Sequence, residues 1–322
     1  MKILIVTGGL TLPEVTEGEL AEIYAASGEA EIVVAHSADE ARPHWADAEV
    51  VLGMADRETF LTARKLRWLH SVSAGADMLM FPEMVTSDVR LTGEKGLSGE
   101  YLADHAFALL LALTRQLKRA ILEGPASWPS RVSMRKAMVE LSGSIMGVVG
   151  LGGTGRAVAK RAQAFGMEVI AVDMEAVPPS PEVRSLWRMD RFTDLLAASD
   201  VVMVCCPLTP ATRGLFDNEA FAAMKPTAYL VNVTRGEIID DAAVVKALTE
   251  GRIAGAGLDV TPIEPLPEDH ALWKMANVVI TPHTAGASQM RGRRNVQRFI
   301  ENLRRYRSGR LLEGLIDKEK GF

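Results

Sequence analysis

The stretch that most limits what this chain can become is Ser144-Ile-Met-Gly-Val-Val-Gly-Leu-Gly-Gly-Thr-Gly155. A short apolar run, Ile145 to Val149, has strand length and is bounded by turn residues. Gly150-x-Gly152-x-x-Gly155 follows, then a helical pattern from Arg156 to Phe165, then a second apolar run, Val169 to Val172, ending in Asp173. Each part answers a physical need. The first glycine makes a tight turn, the second lets a pyrophosphate approach the backbone, and the third lets the helix pack closely on the strand. Phosphates sit at the helix N-terminus, where N–H groups lack partners and the dipole is positive. Asp173 stands about 20 residues on, where an acid can accept from an adenosine ribose. The glycine spacing alone is weak evidence. Strand, glycines, helix, strand and acid in this order predict a dinucleotide site rather than a glycine-rich structural turn.

The same alternation runs through the rest of the chain. Before residue 92 the apolar runs are Ile3–Val6, Ile32–Ala35, Val50–Leu52, Leu66–Val72 and, more weakly, Val89–Thr92, with helical patterns between them such as Glu14–Ser27. After Asp173 come runs at Val201–Cys205, Ala228–Val233, Ile253–Asp259 and Val278–Thr281. Short strands alternating with helices imply parallel pairing, so the expected fold class is α/β, with doubly wound parallel sheets. Ser98 to Arg119 reads as one long helix with a buried face that includes His105, which is expected to be packed or hydrogen-bonded there. Glu123 to Arg131 reads as a surface connection. A closing helix from Ser288 to about Arg307 lies in a segment with eight arginines between Arg291 and Arg310. Val296, Phe299, Ile300 and Leu303 are interleaved with them, which predicts an amphipathic helix with a solvated face rather than a nucleic-acid surface.

Bulk properties narrow the class further. A length of 322 residues suggests about two domains. No apolar run approaches the ~20 residues needed to cross a bilayer. The first apolar run is too short for a cleavable leader. The only cysteines, Cys205 and Cys206, are neighbours in an apolar run. That is buried-strand usage, not a disulfide framework or a metal site, and it suits a reducing cytoplasm. A net charge of −5 gives no general attraction to nucleic acid or to an anionic membrane.

Ligands on such sheets bind beyond the C-terminal ends of the strands. Three of those ends carry chemistry: Arg235 in Asn232-Val-Thr-Arg-Gly236, Glu264 in Asp259-Val-Thr-Pro-Ile-Glu-Pro-Leu-Pro267, and His283 in Thr281-Pro-His-Thr-Ala-Gly286. An arginine fork suits a carboxylate, and an imidazole can move a proton near neutral pH. Singly, each has a bland reading as a surface ion pair, a loop acid or a turn residue. Together they supply an anion clamp, an acid/base and its partner. Ser73-Ala74-Gly75 follows the fourth run, where small residues leave backbone N–H groups open to an anion, although by itself the segment reads as an ordinary turn.

With Gly150-Leu-Gly-Gly-Thr-Gly155, Cys206-Pro-Leu-Thr-Pro-Ala-Thr212, Asn232-Val-Thr-Arg-Gly236, Asp259 to Pro267 and Thr281-Pro-His283 in place, the chain resembles the D-isomer-specific 2-hydroxyacid dehydrogenases. The likeness is strongest from Glu140 to Gly286 and loose before residue 65. It implies that Arg235 binds substrate, that His283 is the acid/base and that Glu264 orients and charges it. It implies NAD contacts from Gly153, Thr154, Asp173, Cys206, Val233 and Asp259, beside Gly150, Gly152, Gly155, Thr234 and Gly286. It assigns the substrate carboxylate to the backbone of Ser73, Ala74 and Gly75, and counts Arg235 and His283 with them as substrate-binding. Residues 1–97 plus 291–322 would form a substrate-side, flavodoxin-like domain, and 98–290 an NAD-binding Rossmann domain, with a cleft and hinge between them. The long helix from Ser98 would help to build a homodimer. The family's formate-oxidising branch pairs its histidine with glutamine, so Glu264 points away from formate. The expectation is therefore NAD-dependent interconversion of a 2-keto acid and a D-2-hydroxy acid. The alternative is a non-enzymatic NAD-binding partner protein of the co-repressor type. The absence of a disordered partner-binding extension weighs against it.

Overall fold

The structure is a computed structural model that describes all 322 residues. Two compact units divide the chain: Met1–Ser98 with Ala287–Phe322, and Gly99–Gly286. The first holds strands β1 Lys2–Val6, β2 Glu31–Ala35, β3 Val50–Gly53, β4 Trp68–Ser71 and β5 Arg90–Thr92. They form a parallel sheet in the order β2-β1-β3-β4-β5. The second holds β6 Ile145–Val149, β7 Glu168–Asp173, β8 Ser185–Arg188, β9 Val201–Val204, β10 Tyr229–Asn232, β11 Gly255–Leu258 and β12 Val278–Ile280. They are also parallel, in the order β12-β11-β10-β9-β6-β7-β8. Both units are the doubly wound α/β sheets that the alternation predicts. No helix is long and apolar enough to cross a membrane.

Strand order decides where a ligand can enter. In the second unit β6 has β7 on one side and β9 on the other. Connections leave this point in opposite directions, and the loops part to open a crevice. The glycine segment lies at that point, since it follows β6. In the first unit β1 stands in the equivalent place, between β2 and β3.

Local chemistry sets the helix ends. The first helix spans Glu17–Ser27 and starts three residues later than its periodicity suggests. Thr16 caps it: its hydroxyl accepts from Glu19 N at 3.2 Å, and the Glu19 carboxylate accepts from Thr16 N at 3.0 Å. This reciprocal box is a strong start signal. The helix expected from Ser98 to Arg119 is two helices, Gly99–Thr114 and Leu117–Glu123. Gln116 breaks it by adopting a left-handed conformation, φ 57°, which no glycine announces. A further helix, Arg131–Ala137, follows the surface connection. Strand β8 escaped the sequence reading because it is a partly exposed edge strand without a continuous apolar run.

In the first unit the helix Arg291–Arg307 covers the sheet with Val296, Phe299, Ile300 and Leu303. Trp68 of β4 stacks on Phe299 and Tyr306, with ring centroids 5.1 and 5.5 Å apart. On its outer side Arg298, Arg304 and Arg305 pair with Glu301 or Glu313, and Arg307 donates to the Ala26 carbonyl. With Arg291, which pairs with Glu94, five of its arginines thus bond within the unit. One charge of this unit, Glu94, is fully buried and is compensated by a two-pronged contact from Arg291, at 2.7 and 2.8 Å, and by Asn295. Buried carboxylates are tolerated only with such partners.

Candidate active site

The dinucleotide segment is built around close approaches. Gly150 has φ 94°, and a Cβ there would come within 2.7 Å of Cys206 N at the end of β9. A Cβ on Gly155 would collide with the Gly150 carbonyl oxygen. Only glycine fits at both positions, whereas the space beside Gly152 is open. The helix Gly153–Ala164 begins there without a side-chain cap, so its first N–H groups and positive dipole end are available to an anion. Asp173 closes β7, and its carboxylate accepts from Leu151 N at 2.7 Å and Glu175 N at 2.8 Å. Those bonds fix the acid beside the glycine turn. The open cradle, the uncapped helix and the fixed acid fit a dinucleotide. Gly153 and Thr154 start the helix. Cys206 forms the wall opposite Gly150, and burial, with the nearby Asp173 charge adding, pushes its thiol up to about 12. Burial raises Cys205 as well. Both remain neutral thiols, so Cys206 offers the crevice an uncharged surface.

Three consecutive strand ends of the same sheet carry Arg235, Glu264 and His283, after β10, β11 and β12 respectively. Fully buried Asn232 shapes the first turn. Its amide donates to the Arg235 carbonyl at 2.8 Å, and its carbonyl oxygen accepts from Thr234 N and Oγ1 at 3.0 Å. Buried Val233 and half-buried Thr234 lie between them. The Arg235 guanidinium donates to the Thr234 carbonyl at 2.8 Å.

Glu264 sits in the proline-bracketed loop after β11, where its Oε1 accepts from Thr261 N at 3.0 Å. Its Oε2 meets His283 Nδ1 at 2.8 Å. A carboxylate can only accept, so Nδ1 carries the proton in this contact and Nε2 is left to exchange one. The pair is partly open to solvent, with side chains 38 and 46 per cent exposed.

Asp259, to which the resemblance assigns a cofactor contact, is the hub of the histidine turn. It is 1 per cent exposed. Its carboxylate accepts from Thr281 Oγ1 at 2.7 Å, Thr284 N at 2.8 Å and Ala285 N at 2.8 Å, and its carbonyl accepts from His283 N at 2.8 Å. Burial alone would push the Asp259 carboxyl up. Hydrogen bonds from His105, Thr281, Ala285 and Thr284 outweigh it and hold the group below its ordinary range. Gly286 completes the segment. His283 adopts a left-handed conformation, φ 53°, which the sequence did not reveal. His105 is hydrogen-bonded, as its place on the buried helix face led us to expect; Asn232 and Thr281 stand inside the quoted motifs but were given no role there, and only their places beside Arg235 and His283 could have marked them.

Ser73, Ala74 and Gly75 follow β4 of the first unit, at the C-terminal edge of its sheet. Ala74 is exposed and its two neighbours are half-buried. Ser73 N is turned to Ser71 Oγ at 3.1 Å.

Comparison with known proteins fits this geometry. The family model for the D-isomer specific 2-hydroxyacid dehydrogenase, NAD binding domain, matches residues 107–285. The chain is 36 per cent identical over 270 residues to the glyoxylate reductase of Korarchaeum cryptofilum, covering 82 per cent of this chain and 80 per cent of that one. It is 37 per cent identical over 235 residues to the D-3-phosphoglycerate dehydrogenase of Mycobacterium leprae, covering 72 and 43 per cent. Among solved structures, a D-isomer specific 2-hydroxyacid dehydrogenase from Xanthobacter autotrophicus in complex with NADPH and MES aligns with TM-score 0.81 at 26 per cent identity, over 99 per cent of both chains.

Proposed function

Because the chain belongs to the D-isomer specific 2-hydroxyacid dehydrogenase family, and is thereby a nicotinamide-dependent oxidoreductase of keto and hydroxy acids, we propose that it reduces a small 2-keto acid with His283 as acid/base. The observation that carries this reading is the 2.8 Å contact of His283 Nδ1 with Glu264, which leaves Nε2 for proton exchange. When bound at the glycine segment, the nicotinamide supplies or accepts the hydride.

The protein's own residues do the rest. Arg235 binds the substrate carboxylate with its planar fork. The Ser73-Ala74-Gly75 turn is assigned to substrate carboxylate binding in the same reading, through the N–H groups of Ala74 and Gly75, since Ser73 N is held by Ser71 Oγ. Protonated His283 gives its Nε2 proton to the keto oxygen in reduction, and neutral His283 takes the hydroxyl proton in oxidation. Glu264 holds the ring through Nδ1, so that Nε2 is the nitrogen that exchanges the proton. Gly150, Gly152, Gly153, Thr154 and Gly155 hold the pyrophosphate. Cys206, Val233, Thr234, Asp259 and Gly286 are assigned the remaining cofactor contacts in this reading.

The preferred cofactor in this reading is NADH. Asp173 accepts from ribose hydroxyls and repels a 2′-phosphate, and Met174 next to it adds no positive charge. The NADPH-bound structural relative makes this a real choice. Glyoxylate and hydroxypyruvate are the first substrates to try, since relatives bear those names. A reducing cytoplasm suits the two free thiols.

We also propose a homodimer. The segment from Leu117 to Val139 exposes Ile121, Leu122, Trp128 and Val132 at 66 to 78 per cent, and large exposed apolar patches mark association sites.

The deciding experiment measures kcat/KM for a panel of 2-keto acids with NADH and with NADPH, for wild type and His283→Ala. Turnover with NADH favoured, and a loss on the order of 10²–10⁴-fold in the variant, is expected. Comparable efficiency with both cofactors would refute the cofactor assignment. Full activity of His283→Ala would remove the mechanism.

A further inference from the structure

The helix Gly99–Thr114 belongs to none of the sequence motifs of the site, yet one of its side chains reaches the histidine turn. Leu109 of this helix lies directly on β11 at Gly257, where an added Cβ would come within 2.8 Å of Leu109 Cβ. Residues four apart share a helix face, so this packing also turns His105 toward the strand ends. Its Nε2 lies 2.8 Å from Thr281 Oγ1 and 3.3 Å from Asp259 Oδ1.

The direction of these bonds can be worked out. Thr281 Oγ1 is 2.7 Å from Asp259 Oδ1, and a carboxylate only accepts, so the single hydroxyl proton goes there. Toward His105 the hydroxyl can then only accept. Nε2 of His105 therefore carries a proton, shared between Thr281 and Asp259. The same carboxylate receives Thr284 N and Ala285 N, and the Asp259 carbonyl receives His283 N. His283 stands at φ 53°, a conformation that a residue other than glycine keeps only when its neighbours enforce it.

We propose that His105 is a positioning residue: its Nε2–H, shared by Thr281 and Asp259, completes the lock that holds His283 in register for proton transfer. This rests on the acid/base role of His283 given above. His105 itself touches neither substrate nor cofactor in this scheme. Its donor aligns Asp259 and Thr281, and they in turn fix the backbone that carries the acid/base.

The test is steady-state reduction of glyoxylate by NADH with the full chain. His105→Leu keeps the bulk and removes the donor; His105→Gln returns an N–H at similar reach. The leucine variant should lose at least tenfold in kcat while KM for NADH stays within about twofold, and the glutamine variant should recover most of that loss. Thr281→Val should lower kcat in the same way, and the double variant should lose little more than the worse single one, because residues acting through one network are not additive. If the leucine variant does not fold, His105→Asn, polar but shorter, takes its place with the same expectation. A leucine variant with wild-type kcat overturns the proposal. So does a loss that glutamine does not recover and that raises KM for NADH in proportion, which would mark a packing role alone. His283→Ala in the same series separates the two levels. If it keeps full activity, the acid/base reading fails. If it is inactive while His105→Leu is unimpaired, only the positioning role fails.

Discussion

Glu264 and His283 show how much depends on a single charge. Glu264→Gln keeps the size of the side chain but removes the negative charge facing the imidazole at 2.8 Å. If His283 is the acid/base proposed above, the ring loses the acceptor charge that holds its Nδ1, and kcat for reduction should fall. A kcat that does not change would uncouple the two residues. Asp259 leads to a pH dependence of stability. Its folded value is held below that of the unfolded chain by four hydrogen bonds that outweigh burial. A depressed carboxyl adds stability that is complete above its unfolded value, about 3.9, and is lost as pH falls through the folded value. Asp259→Asn cannot supply it. The gap in Tm between wild type and Asp259→Asn should be full at neutral pH and close as pH drops below about 4. A gap that stays constant down to acid pH would mean that the charge is not what holds the turn.

At the scale of elements, the strand–glycine–helix–strand order was legible because each part carries its own signal: an apolar run, a fixed glycine spacing, a terminal acid. The strand ends that carry Arg235, Glu264 and His283 were legible for the same reason. The supports were legible only in part. His105 was expected to be packed or hydrogen-bonded, but its partner Thr281 lies 176 residues away, and no local periodicity records such a pairing. The break at Gln116 was hidden because a left-handed glutamine leaves no mark in the sequence, unlike the glycine that commonly ends a helix. Contact between helix and strand can be tested at Gly257. Gly257→Ala places a methyl 2.8 Å from Leu109 Cβ, an overpacking that costs about 1–3 kcal/mol. Because the displaced helix carries His105, kcat should fall along with Tm. A loss of Tm with kcat intact would separate this packing from the histidine turn.

At the scale of the whole molecule, the exposed apolar segment from Leu117 to Val139 gives a prediction about assembly. Ile121→Asp puts a charge where a second copy would bury an isoleucine that is 78 per cent exposed in the single chain. Light scattering should show wild type at twice the mass of one chain and the variant shifted toward one chain, with Tm measured in parallel. Identical masses for both would exclude this face. The interrupted layout of the first unit bears on synthesis order. Its sheet is built from residues 1–98, but the helix that covers Ile3, Ile5 and Trp68 belongs to residues 287–322. A ribosome therefore makes the whole of Gly99–Gly286 in between, which takes roughly ten to forty seconds at 5–20 residues per second. The nucleotide-holding unit can fold as it emerges, while the older sheet waits with that apolar face covered only in part, by the helix Glu17–Ser27. Apolar surface left open in that interval is the kind that makes incomplete folds prone to aggregate. A chain released before residue 291 would forfeit the order of its earliest-made strands, not of those nearest the break.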